Sequence, residues 1–133
     1  MEKIIELLND KIFCLEKFFN INEIAIEEFK CGEFDELERF YKSREGLLTI
    51  IKKIDDLIEE RSASADDLVS GANDTRHKTE ISEALDYKNV LVNKILQQDL
   101  TILSCIESEK SKIIKELTQV RATKKALGSY KSG

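Results

Sequence analysis

The stretch KILQQDLTIL, residues 94–103, sets the carboxylate of Asp99 among Ile95, Leu96, Ile102 and Leu103. A carboxylate in such surroundings needs donors or a cation, or else takes up a proton, which is how acid–base sites arise. Its short stem keeps it from reaching out to water as a lysine would. The remaining candidates for chemistry are few. The single histidine, His77, lies in DTRHKTE with no HExxH or ExxH spacing around it, so a solvent-facing residue is expected there rather than a ligand or a phosphotransfer site. The acids Glu27/Glu28, Asp55/Asp56, Glu59/Glu60 and Asp66/Asp67 are sequence neighbours and would point to different helix faces. No Gly-rich phosphate loop is present. Cys14, Cys31 and Cys105 form no CxxC pair and suggest ordinary thiols in a reducing compartment. The expectation is no enzyme, no catalytic residues, no cofactor and no metal.

What positions Asp99 must be helical. The 133 residues contain no proline and five glycines, with 41% hydrophobic and 35% charged residues, a composition suited to one domain of long helices. Met1, Ile5, Leu8, Ile12, Leu15, Phe19, Asn22, Ile26 and Phe29 recur in alternating fours and threes. Ile4, Leu7, Phe18 and Ala25 widen that seam into a bundle face. The pattern predicts a helix over 2–30 ending at Gly32, which suits a left-handed cap. A second helix over 34–61 opens with acids at its N-terminus and carries the seam Leu37, Phe40, Arg44, Leu47, Ile51, Ile54 and Ile58. So short a connection implies an antiparallel hairpin.

Residues 62–75 lose periodicity and read as a loop. A long helix over 76–127 follows, before a flexible basic tail over 128–133. Its seam runs through Ile81, Leu85, Lys88, Val92, Ile95, Asp99, Ile102, Ile106, Lys110, Ile113, Leu117, Val120, Lys124 and Leu127. The expected fold is all-α: an antiparallel hairpin packed on one very long C-terminal helix. Lys88 and Lys110 read as edge residues with their ammonium groups in water. Arg44 is the one charged residue on the seam of the second helix, so it is the natural partner of Asp99, the pair acting as a polar pin that sets helix register. A solvent-facing Asp99 is the competing expectation.

Net charge is −5, yet residues 1–60 hold 9 basic against 16 acidic side chains while 107–133 hold 7 against 3. The basic end could attract nucleic acid or anionic lipid, but the acidic remainder would repel both and Tyr130 is the end's one aromatic residue, so no nucleic acid is expected. No stretch approaches the roughly 20 apolar residues of a membrane span, so no membrane insertion is expected. The third helix is too long for the hairpin to cover. Its far stripe, Ile106, Ile113, Ile114, Leu117 and Val120, calls for a partner helix. Folding back, or self-association into a homodimer, would satisfy it equally.

The break and restart KCGEFDELERFYKSREGLLTIIKKIDDL, the stretch ILQQDLTILSCI and the ending VRATKKALGSYKSG resemble the flagellar type III export chaperones of the FlgN-like group. The FliT-like chaperones are near neighbours of that group. The resemblance implies a cytoplasmic chaperone for hook-associated protein cargo, holding the amphipathic C-terminal helix of its client before export. Carried onto this sequence, the cargo face is Ile106, Ile113, Ile114, Leu117, Val120 and Leu127. Tyr130, with Lys124 and Lys125, would dock on the flagellar export apparatus; without the resemblance, Tyr130 reads as a frayed terminal residue. The competing class is a structural coiled-coil protein that self-assembles through the same stripe and has no client.

Overall fold

A computed structural model of the chain describes the backbone of residues 2–66 and 74–131 and the side chains of 3–63 and 76–127. Three helices account for it: α1 (Glu2–Lys30), α2 (Leu37–Asp66) and α3 (Asp74–Lys131). No strand occurs among the described residues. The heptad of the first segment becomes α1 at the bounds its periodicity predicts, and Leu8, Ile12, Leu15, Phe18, Ala25 and Phe29 are buried along it.

The α1–α2 turn is built from backbone hydrogen bonds. Gly32 takes φ 80°, its N–H donating to the Phe29 carbonyl at 3.0 Å, while the Glu33 N–H reaches back to the Glu28 carbonyl at 2.9 Å. These two bonds form a Schellman cap, which satisfies carbonyls that the end of α1 would otherwise leave open. Phe34 then stacks on Phe29 with ring centroids 4.8 Å apart, and Phe40 meets the same ring edge-on at 5.6 Å. Because the cap and this aromatic cluster consume residues 31–36, α2 begins at Leu37, three residues later than its acidic start predicts.

Direction follows from which residues meet. Lys11 pairs with Asp55 at 2.6 Å and Phe29 packs on Phe40, so α2 runs antiparallel to α1. Gln98 bonds near Phe19 and Glu23, and Cys105 lies beside Phe29, so α3 runs parallel to α1. The bundle is up-down-up. α1 packs against both neighbours, whereas no Cα of α2 comes within 8 Å of one in α3 among the described residues. Two buried clusters result. One joins Leu7, Leu15 and Phe18 to Ile51, Ile54, Leu91 and Ile95; the other joins Ala25 and Phe29 to Phe40 and Ile102 near the turn.

Other bounds also differ from the sequence expectation. α2 continues to Asp66, through residues expected to begin the loop, and α3 starts at Asp74; residues 67–73 lie outside the described ones. At the far end the helix passes through Gly128 to Lys131, so the backbone of 128–131 is helical where a flexible tail was expected. A single glycine costs a helix only about 1 kcal/mol, and no proline follows to stop it. His77 is half-buried rather than solvent-facing, its Nδ1 shielded from water without a hydrogen-bond partner among the described residues.

Candidate functional site: the polar layer and the overhang of α3

Arg44 and Asp99 meet. The Arg44 Nη2 donates to Asp99 Oδ1 at 2.9 Å across the gap between α2 and α3, with 18% and 36% of the two side chains exposed. A short side chain would not cross that separation; arginine does, with its guanidinium set over two aromatic rings. The guanidinium carbon sits 4.7 Å from the Phe18 ring centroid and 5.0 Å from that of Phe40. Cation–π contact and a charge-assisted hydrogen bond thus hold one planar group in place.

The neighbouring residue, Gln98, is the more deeply buried polar group at 6% exposure. Its Nε2 donates to the Phe19 carbonyl at 3.1 Å and to Glu23 Oε1 at 2.7 Å, while its Oε1 accepts from Asn22 Nδ2 at 3.0 Å. Two acceptors around Nε2 fix the orientation of the amide, because the flipped form would set oxygen against oxygen. Asn22 is fully buried, and its Oδ1 finds no partner among the described residues. One turn of α3 therefore presents Gln98 to α1 and Asp99 to α2. The sequence marks Asp99 by its charge and Asn22 as a seam position, but the reading of the seam passes over Gln98. Its signal is the seven-residue row Leu91–Gln98–Cys105, a second inward row on α3.

Beyond this layer the bundle ends and α3 does not. The α1–α2 turn packs against Ile102, Cys105 and Ile106, and from Lys110 onward every described residue of α3 is exposed. Lys110 to Lys131 rises about 33 Å. Ile113, Ile114, Leu117, Val120 and Leu127 stand on this overhang with 46–57% of their surface open. Ile106 is half-buried, so it belongs to the core edge as well as to the stripe. At the root of the overhang Phe34, Leu37, Ile106, Ile113 and Ile114 line an apolar notch of about 390 Å³. Lys110 is exposed and Lys88 half-buried, in keeping with their places at the edge of the stripe.

Lys124 and Lys125 are exposed on the overhang. Tyr130 lies beyond the described side chains, on backbone that is helical. Among the described residues no three His, Cys, Asp or Glu side chains gather as a metal-binding group. All three cysteines are free, with Cys14 buried and Cys31 exposed. No helix among the described residues is long and apolar enough to cross a membrane.

Fold and site together define the class: an all-α, up-down-up three-helix bundle whose last helix outruns its neighbours. Comparison with family profiles, with curated proteins and with solved structures finds no match to this chain.

Proposed function

We propose that this chain is a non-enzymatic binding protein that holds an amphipathic helix of a client along the overhang of α3. The observation that carries the proposal is the uncovered stripe Ile113, Ile114, Leu117, Val120 and Leu127 above an apolar notch. A helix laid against that face covers anchors spaced by threes and fours, the pattern by which grooves take amphipathic helices. Fully burying one such leucine or isoleucine stabilises by about 2 kcal/mol. Four or five anchors are therefore ample for a reversible complex after the cost of association.

The finer identity follows the resemblance. The client is the C-terminal helix of a hook-associated junction protein, the setting is the cytoplasm, and Tyr130 with Lys124 and Lys125 delivers the complex to the flagellar export apparatus. Co-purification with hook-associated proteins tests it: the full chain is expected to retain one of them, and Leu117→Asp to lose it with the bundle intact. Failure of the full chain to retain any would refute the chaperone assignment. A tight oligomer that buries the stripe permanently would instead favour the structural coiled coil.

A further inference from the structure

The apolar face of the overhang carries cations. Past the bundle the seam of α3 runs through Ile106, Lys110, Ile113, Leu117, Val120, Lys124 and Leu127, and Arg121 stands seven residues beyond Ile114 on the flank of the same face. Lys110, Arg121 and Lys124 are exposed, and none has an ion-pair partner among the described residues. Residues 110–131 hold seven Lys and Arg against Glu116 alone, so a second copy would bring one carboxylate to seven cations. The α1–α2 turn at the root has the opposite sign. Glu36 and Glu38 there are met by Arg39 and Lys42, whereas Glu27, Glu33 and Asp35 are exposed without a partner among the described residues.

The placement of the stripe decides between a helix and a lipid surface. Ile106 packs against the core beside the turn, and Ile113, Val120 and Leu127 follow it at seven-residue steps, so the stripe leaves the bundle on the side where the turn stands. Phe34 and Leu37 of that turn wall the notch beside Ile113 and Ile114. A flat anionic surface would meet the acidic turn before it reached the root of the stripe, whereas a helix about 10 Å across fits into the corner.

We propose that the client helix is acidic, an inference that rests on the client reading and gives its partner a charge. One apolar side chain of that helix fills the notch, and its carboxylates, at the end away from the turn, meet Arg121 and Lys124. Lys124 lies eleven residues beyond Ile113, which places those carboxylates about 17 Å from the notch. The acidic turn rejects the same carboxylates at the other end, so the register is fixed from both sides. A neutral or basic helix would cover Lys124 among apolar anchors with nothing opposite it, and that cost is what selects the partner. Lys124 serves one partner at a time. A bound client therefore leaves docking on the export apparatus to Tyr130 and to Lys125, which lies about 100° further round α3.

Titration of two synthetic three-heptad peptides into the full chain tests the charge. Both carry leucine along the seam; at one end the first has glutamate on the flanking positions and the second has lysine. The glutamate peptide is expected to bind at least about tenfold more tightly at low salt. The double variant Arg121→Glu, Lys124→Glu, with unchanged circular dichroism, is expected to invert that order. Equal affinities, or an order that the double variant leaves unchanged, would overturn the acidic partner and leave the client reading standing. Binding of neither peptide would overturn both. Flotation with phosphatidylglycerol vesicles at physiological salt is expected to leave the full chain unbound; binding there would assign the cations to a lipid surface and overturn the proposal.

Discussion

Asp99 and Gln98 sit side by side on α3 and serve different neighbours, which makes the two residues separable by mutation. For the Arg44–Asp99 pair, partly open to water, a double-mutant cycle of Arg44→Ala and Asp99→Ala in urea is expected to return a coupling of about 0.5–1 kcal/mol. Arg44→Ala should cost more than Asp99→Ala, since it also strips cover from Phe18 and Phe40. Additive single effects would mean the pair fixes nothing. For the amide pair, Gln98→Leu leaves the buried Asn22 with neither of its polar atoms satisfied and should cost about 2 kcal/mol. Replacing both by leucine should recover most of that loss, because no buried polar group is then left alone. Asp99 was legible in sequence because a charge interrupts an apolar seam, and Arg44 because it is the only other charge on a facing seam. Gln98 was hidden because a neutral amide among polar neighbours raises no alarm; its burial follows from α1 lying on a second face of α3, a tertiary fact.

At the scale of elements, glycines give opposite expectations. Gly32 holds φ 80° with open space where a Cβ would stand, so Gly32→Ala meets only backbone strain and should destabilise by about 1 kcal/mol. Gly46 lies inside α2 with nothing within 4 Å of its own Cβ position, and Gly46→Ala should stabilise by about 1 kcal/mol. Thermal unfolding of the two variants checks both signs. Helix existence and the order of the elements could be read from the spacing of apolar residues, because a seam in threes and fours can be buried only as a helix. Boundaries followed less closely, since aromatic stacking of Phe29 on Phe34 delays α2 and nothing after Leu127 is strong enough to stop α3.

The whole molecule divides into a bundle that holds itself together and a helix that extends from it. Truncation after Lys115 should therefore change the unfolding free energy by less than about 0.5 kcal/mol, as no described contact of the bundle lies beyond Ile114. Hydrogen exchange should likewise be slow over α1 and fast over residues 117–131 when the overhang is uncovered. That part of α3 outruns its neighbours or bends was the expectation from helix length, while how far it extends depends on where the α1–α2 turn meets it in space. Isothermal titration of the C-terminal helix of a hook-associated junction protein into the full chain bears most directly on the role proposed for that overhang. Saturable one-to-one binding that Leu117→Asp abolishes, with the bundle still folded, is the expected result; no binding to the full chain, or binding that survives both Leu117→Asp and removal of residues 116–133, would contradict it.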